Sequence, residues 1–115
     1  MTATIPAAVR ASIEAVVGPA HAFSGPERTV DYGHDEFSLK EIAREPGLVV
    51  RPGTTEEVAA VLRIADEARL PVTPRGGATG LCGGCVPVEG GLVLSLERMD
   101  RVLEIDADNQ MAVTE

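Results

Sequence analysis

Five glycines fall within nine residues in the segment PRGGATGLCGG (74–84), and this spacing is typical of a loop that binds phosphate through its backbone. Consecutive N–H groups can surround an anion where side chains are absent and φ is free to become positive. Thr79 adds a hydroxyl donor and Arg75 a cation. Because the formal net charge is -8 and Lys40 is the only lysine, backbone amides would have to neutralise the anion. We therefore predict phosphate binding here.

The loop does not match the two commonest phosphate motifs. A Walker loop needs Gly-Lys-Ser/Thr, and a Rossmann turn needs Gly-x-Gly-x-x-Gly leading into a helix. Neither pattern occurs in the chain. The following segment, CVPVEGG (85–91), contains a proline and two glycines, which are poor helix formers. We expect a connection from strand to strand that holds an anion without a helix dipole.

Cys82 and Cys85 form a Cys-x-x-Cys pair inside this loop, which has three interpretations. A reactive dithiol needs a helix N-terminus that lowers the pKa of one thiol, and the local sequence forms none. A zinc site needs four ligands, and His21 and His34 match no ligand spacing. We favour two small side chains that fill space, with redox and metal roles as the alternatives.

Other polar residues have structural and functional interpretations. His34 and Asp35 could form a base beside a carboxylate, but adjacent side chains on an extended segment point apart, so a structural role is favoured. Arg75 either contacts phosphate or braces the loop by pairing with an acid, and both options stay open. Four acidic residues are expected to form a solvated helix face: Glu56, Glu57, Asp66 and Glu67.

Periodicity predicts two helices that would position the loop. The first covers residues 5–17, with Pro6 at its first helical position, and residues 19–46 read as irregular. The second covers 54–70, opens with a capping box between Thr54 and Glu57, and stops before Pro71. Its predicted apolar stripe is Val58, Val61, Leu62, Ala65 and Ala68.

Short apolar runs at 47–52, 71–74 and 91–96 predict buried strands, which with the second helix form a parallel βαβ unit. RVLEID (101–106) and NQMAVTE (109–115) alternate apolar and polar residues around turn residues 106–109, which predicts an antiparallel hairpin. An isolated hairpin is marginal. We therefore expect the sequence to be cut short and the chain alone to be only marginally stable.

The loop, the helix and the LERM segment (96–99) together resemble the flavin-binding domain of the FAD-linked oxidases of the vanillyl-alcohol oxidase superfamily. YGHD (32–35) and VVRPGTTEEVAAVLRIADE (49–67) extend the resemblance from about Ala22 to the end of the chain. Within the superfamily the chain is most similar to the D-2-hydroxy-acid branch, which contains the glycolate oxidase catalytic subunit and D-lactate dehydrogenases.

The resemblance implies an α+β fold. The chain would form the N-terminal α/β subdomain of a PCMH-type FAD-binding domain, with short parallel strands and flanking helices. The hairpin from Arg101 would be the first of a second, antiparallel subdomain. We divide the chain into an N-terminal helix and irregular segment, 1–46, and an FAD-binding domain incomplete at its C-terminus, 47–115.

The resemblance also implies a pyrophosphate site for FAD on the loop. Its expected cofactor-binding residues are Pro74, Arg75, Gly76, Gly77, Ala78, Thr79, Gly80, Leu81, Cys82, Gly83 and Gly84. No histidine lies in or beside the loop, so non-covalent FAD is expected. Ala78 replaces a glycine of the family, and a positive φ there would cost about 1 kcal/mol or more. No catalytic residue or metal ligand is expected within the chain.

The implied activity of the intact protein is oxidation of a D-2-hydroxy acid to the 2-oxo acid, with the substrate bound by parts outside this chain and partner subunits possible. Alternatives are an enolpyruvyl-sugar reductase of the same fold, a non-catalytic half-domain that binds FAD, nucleotide or a partner subunit, and a thiol-redox protein. The acidic charge disfavours nucleic acid, and no apolar run is long enough to span a membrane. The cysteine content favours a cytoplasmic location.

Overall fold

A four-stranded sheet forms the centre of the molecule in the computed structural model, which describes residues 4–37 and 39–115. The strand order is β1-β2-β4-β3, with bounds β1 (Ala22–Phe23), β2 (Leu48–Val50), β3 (Val72–Arg75) and β4 (Leu92–Ser95). β2, β4 and β3 are parallel, which confirms the predicted βαβ unit, and β1 is antiparallel to β2. β1 was not predicted, because two residues are too few to show a periodicity.

The described residues form three helices, and the two that were predicted begin and end within three residues of their predicted bounds. The three helices are α1 (Ala7–Val17), α2 (Pro26–Thr29) and α3 (Thr55–Glu67), with 3-10 turns at Pro19–His21 and Val30–Tyr32. Pro6 was predicted to occupy the first helical position, and this prediction was wrong. Pro6 lies just outside α1, because its ψ of 141° is extended. The segment predicted to be irregular, 19–46, contains β1, α2 and the two 3-10 turns.

α3 begins at a side-chain cap, as predicted. The Thr54 hydroxyl accepts a hydrogen bond from the Glu57 N–H at 3.1 Å. In a capping box the Glu57 carboxylate would accept a hydrogen bond from the N–H of Thr54. Here it accepts from the Gly53 N–H at 2.6 Å instead. Glu57 also lies 3.7 Å from the Arg98 guanidinium. Its assignment to a purely solvated face was therefore wrong.

The C-terminus of α3 lies three residues before the predicted end at Leu70. Arg69 adopts a left-handed φ of 54°, and the Leu70 N–H donates to the Ala65 carbonyl at 2.9 Å. The Arg69 N–H donates to Asp66 at 3.0 Å, which completes a Schellman motif. The chain thus leaves the helix through a left-handed residue rather than running helically up to the proline.

The core occupies both faces of the sheet. Leu48, Val50, Leu92 and Leu94 point to one face, where they pack with buried residues of α1 and α3. Val49 and Val93 point to the other face with Phe23, and Tyr32 covers them. This alternation is the period of a strand. In the predicted helical stripe, Leu62 is 43% exposed, and Ile64 packs against the core instead.

The predicted antiparallel hairpin consists of β5 (Val102–Asp106) and β6 (Met111–Thr114), with an irregularity between Val102 and Glu104. Its turn is one residue later than predicted, since the Gln110 N–H donates to the Ala107 carbonyl at 3.3 Å. Large apolar side chains of the hairpin are exposed, with Ile105 at 75%.

The division of the chain at residue 46 stays a prediction. α1 and β1 lie on the N-terminal side of that boundary and contribute buried residues to the same core as β2 and β4. Within the ranges that the structure describes, every helix is too short or too polar to cross a bilayer.

Candidate functional site

The carboxyl ends of three parallel strands meet at one edge of the sheet. Arg51 follows β2, the glycine loop follows β3, and Glu97 follows β4 after one residue. Ligands of open α/β sheets bind at this edge. A cleft of about 300 Å³ lies there, and its lining includes Tyr32, Glu97 and the segment 76–78. The predicted phosphate loop is therefore at the sheet edge where a ligand is expected.

Most glycines of the loop have no role in folding that requires glycine. At Gly76, Gly80 and Gly84, φ is outside the left-handed region. Apart from the residues adjacent in the chain, no atom of the described residues lies within 4 Å of where a Cβ would be. Gly91, at the far end of the loop, differs. Its φ is 71°, and a Cβ there would collide with the Pro71 carbonyl. The first group presents bare backbone to open space, as a site for an anion requires.

Ala78 lies at the position where the resemblance leads us to expect a glycine. Its φ is 58°, in the left-handed region. For a residue with a Cβ this conformation costs about 1–2 kcal/mol. The strain expected from the sequence is therefore present within the loop.

Arg75 braces the loop from behind. Its side chain is buried, with 8% of the residue exposed. Its two terminal nitrogens donate to the carbonyls of His34 at 2.7 Å and Asp31 at 2.6 Å. The guanidinium also lies 5.5 Å from the centre of the Tyr32 ring. Of the two roles left open by the sequence, the geometry supports bracing, but its partners are backbone carbonyls and not an acid.

Asp35 holds the loop from the same side. It is 2% exposed, and its carboxylate accepts hydrogen bonds from the Gly83 N–H at 2.8 Å and the Phe37 N–H at 3.0 Å. The Glu36 N–H donates to the Gly80 carbonyl at 3.3 Å. From the sequence, Asp35 was considered only in its pair with His34, for which a structural role was favoured. Its contact with the loop was not predicted, since Asp35 and Gly83 are 48 residues apart and no local pattern connects them.

His34 has the structural position that was favoured for it. Its carbonyl accepts from Arg75, and its ring Nδ1 lies 2.8 Å from the Asp35 carbonyl.

Cys85 is half-buried with its Sγ 3.4 Å from Arg75, as a space-filling side chain would be. Cys82 is exposed and fills no internal space, so the favoured interpretation was wrong for this residue; both thiols are free. Across residues 4–37 and 39–115, no group of three or more His, Cys, Asp or Glu side chains is arranged to hold a metal ion.

A polar cluster of Tyr32, Arg51 and Glu97 lies at the cleft, with Tyr32 and Glu97 in its lining. The Tyr32 hydroxyl donates to Glu97 Oε1 at 3.0 Å, and Arg51 donates to the same oxygen at 2.9 Å. Burial alone would raise the pKa of Glu97, but the hydrogen bonds from Arg51 and Tyr32 outweigh it, and the pKa lies below its ordinary value. Burial and the bond to Glu97 raise the pKa of Tyr32. The cluster therefore presents an ionised carboxylate and a protonated phenol.

The sequence relatives are flavin enzymes. Residues 46–115 match the family described as FAD binding domain. An FAD-linked oxidoreductase of Mycobacterium tuberculosis is 45% identical over 87% of this chain and 22% of its own length. A D-lactate dehydrogenase of Archaeoglobus fulgidus is 54% identical over 62% of the chain and 16% of its own length. The glycolate oxidase subunit GlcD of Bacillus subtilis is 39% identical over 80% of the chain and 21% of its own length.

The fold is shared with solved enzyme structures. An alkyldihydroxyacetonephosphate synthase superposes with a TM-score of 0.80 over 97% of this chain and 24% of its own, at 19% identity. A 4-ethylphenol oxidase of Gulosibacter chungangensis superposes with a TM-score of 0.73 over 89% of this chain and 20% of its own, at 28% identity. The chain spans about a fifth of the length of the curated relatives it matches. It belongs to the FAD-binding-domain family of flavin oxidoreductases and has the PCMH-type α+β fold.

Proposed function

We propose that the chain anchors FAD by its pyrophosphate at the carboxyl edge of the sheet. The cradle is the loop from Pro74 to Gly84, with Gly76, Gly77, Ala78, Thr79 and Gly80 at its centre. The observation that carries this proposal is the bare backbone at Gly76, Gly80 and Gly84, which the fold itself does not require. The remaining predicted contacts, Leu81, Cys82 and Gly83, continue along the same loop.

The residues of the chain act by binding and orienting. Loop N–H groups donate to the phosphate oxygens, and Asp35 and Arg75 fix the backbone that carries those groups. A preformed cradle lowers the entropy that ligand binding costs. The bound flavin supplies the redox chemistry. Without a histidine in the loop, we expect FAD to be held without a covalent bond.

The proposed reaction of the whole protein is oxidation of a D-2-hydroxy acid to the 2-oxo acid, with two electrons passing to FAD. Its support is the relatives named D-lactate dehydrogenase and glycolate oxidase subunit. Because the chain spans about a fifth of their length, this activity is proposed for the whole protein. Reduction of the flavin under anaerobic conditions by D-lactate or glycolate, but not by L-lactate, tests the substrate class.

Glycine substitutions test the cradle by separating binding from folding. Gly76→Ala and Gly80→Ala place a methyl group where the anion must lie, and loss of one charge-assisted hydrogen bond lowers FAD affinity about tenfold or more. Their thermal midpoints should equal that of the unchanged protein, since the added Cβ meets no neighbour. FAD affinity is measured by quenching of flavin fluorescence.

Gly91→Ala gives the opposite pattern and serves as the matched control. Its Cβ would collide with the Pro71 carbonyl at a left-handed φ, so the thermal midpoint should fall. If Gly76→Ala and Gly80→Ala bind FAD as tightly as the unchanged protein, the loop is not the cradle. If the unchanged protein binds no FAD, the proposed function is wrong altogether.

A further inference from the structure

Two acidic residues, Asp31 and Glu97, line the cleft, and phosphate binding explains neither; Glu97 is the one held in place by side-chain hydrogen bonds. Glu97 lines the same cleft as Gly76 and Gly77, where the proposed pyrophosphate would lie. Like charges near each other are unfavourable, and the effect grows where solvent is partly excluded. A carboxylate at this position would weaken the binding of a bare phosphate. Its presence therefore suggests a neutral hydrogen-bond donor in the same ligand.

Glu97 is held in one orientation from two sides. Tyr32 donates from the segment that covers the second face of the sheet, and Arg51 donates from the end of β2. The Tyr32 hydroxyl also lies 3.2 Å from Glu97 Oε2. The Glu97 side chain nevertheless keeps 40% of its surface exposed. A carboxylate has about four acceptor positions, so these donors leave capacity for a ligand.

Arg51 explains how a carboxylate is tolerated beside an anion. The ion pair of Arg51 with Glu97 at 2.9 Å offsets the negative charge while the carboxylate oxygens still accept hydrogen bonds. Two oxygens on one carboxylate suit two neighbouring hydroxyl groups. Acidic residues recognise the ribose hydroxyls of dinucleotides in this way in other α/β folds.

We propose, on the basis of the proposed FAD binding, that Glu97 accepts hydrogen bonds from the vicinal hydroxyl groups that adjoin the pyrophosphate. FAD carries such hydroxyls on both sides of its pyrophosphate: the ribose of the adenosine half and the ribityl chain of the flavin half. Glu97 thereby selects a pyrophosphate that carries a polyol over a bare one. Tyr32 is the positioning residue that orients the carboxylate.

Calorimetric titration of the protein and of Glu97→Gln with three probes tests this proposal: ADP, FMN and inorganic pyrophosphate. ADP carries the ribose, FMN carries the ribityl chain, and pyrophosphate carries neither. In Glu97→Gln the affinity for one of the two polyol-bearing probes should fall about tenfold, as for a lost hydrogen bond to a charged acceptor. The affinity for pyrophosphate should stay constant or rise, because a negative charge near it is removed.

The two probes distinguish the two sources of hydroxyl groups. A loss confined to ADP assigns Glu97 to the ribose, and 2′-deoxy-ADP should then bind the unchanged protein and Glu97→Gln about equally. A loss confined to FMN assigns Glu97 to the ribityl chain. Tyr32→Phe keeps the charge and should show a smaller loss for the same probe, with pyrophosphate unaffected.

An equal loss for all three probes would overturn the inference, since it would mean that Glu97 only braces β2 against β4. Unchanged affinity for both ADP and FMN would overturn it as well. The thermal midpoint of each variant separates a binding effect from unfolding. If the unchanged protein binds FAD but Glu97→Gln does so equally well, this inference fails alone. If the unchanged protein binds none of the probes and no FAD, the proposed function fails with it.

Discussion

Strands β4 and β6 are each four residues long and mostly apolar, yet every residue of β4 is buried and every residue of β6 is exposed. β4 lies between β2 and β3, and side chains cover both of its faces. β6 pairs with β5 in a sheet of two strands. The sequence pattern of a strand therefore does not determine its burial, which depends on the elements packed against it.

The polar contacts of the two regions differ in the same way. The sheet side has long-range contacts, such as the Asp35 carboxylate with the Gly83 N–H, 48 residues apart. The hairpin has local ones, such as Asp106 with Asn109, three residues apart. A long-range contact fixes one loop relative to another, so it can shape a binding site. A local contact fixes only its own turn.

Truncation of one apolar side chain in each region should give the largest contrast. Leu92→Ala removes a side chain that is 0% exposed and should cost about 2–5 kcal/mol of unfolding free energy. Ile105→Ala removes one that is 75% exposed and should cost less than about 0.5 kcal/mol. Urea unfolding followed by circular dichroism measures both. Equal losses of unfolding free energy would show that Ile105 is buried in solution, and the contrast in burial between the sheet and the hairpin would then be wrong.

The elements of the fold could be predicted from the sequence where the signal was local. The stripe of α3 and the Thr54 cap each lie within one helix, and both were found, except that Leu62 of the stripe is exposed. The end of α3 was misplaced, because Arg69 in a left-handed conformation replaces the glycine that usually marks a Schellman motif. β1 was missed, since it is a strand only by virtue of its pairing with β2.

The candidate site shows the same division. The glycine loop was predicted because its glycines are close in sequence. The contacts of Asp35 and Glu97 were not predicted, because their partners lie far along the chain. Asp35 contacts Gly83, and Glu97 contacts Tyr32 and Arg51. Arg75 was recognised as a loop residue, but residue type alone did not distinguish a brace from a phosphate contact. Such contacts require the fold before they can be identified.

Substitution of one aspartate in each region should give the next largest contrast. Asp35→Asn replaces an acceptor by a donor beside the Gly83 or Phe37 N–H, and an unpaired buried group costs about 1–3 kcal/mol. The loop loses its anchor, so FAD affinity should fall as well. Asp106→Asn changes an exposed turn, and neither the unfolding free energy nor FAD affinity should change measurably. If Asp35→Asn lowers stability but leaves FAD affinity unchanged, the Asp35 contact supports the fold without shaping the cradle.

Relief of backbone strain should give the smallest contrast. It should raise the free energy of unfolding, whereas the substitutions above lower it. Ala78 and Gln110 have nearly the same left-handed φ, 58° and 54°, one in the glycine loop and one in the hairpin turn. Replacement by glycine removes a cost of about 1–2 kcal/mol and adds about 0.5–1 kcal/mol of chain entropy, so each change should stabilise its surroundings by roughly 0.5–1 kcal/mol.

The two glycine variants should differ in how far the stabilisation extends. The loop that contains Ala78 connects β3 to β4 and is tied to residues 31–36, so Ala78→Gly should raise the global unfolding free energy and the hydrogen-exchange protection of β4 amides. Because β5 and β6 form a separate sheet, we expect the hairpin to open without disturbing β4, so Gln110→Gly should protect only the amides of β5 and β6. Ala60→Gly within α3 is the control with the opposite sign, at a cost of about 0.5–1 kcal/mol. Protection of β4 by Gln110→Gly would mean that the hairpin and the sheet unfold as one unit, because a local gain can reach distant amides only through a shared opening.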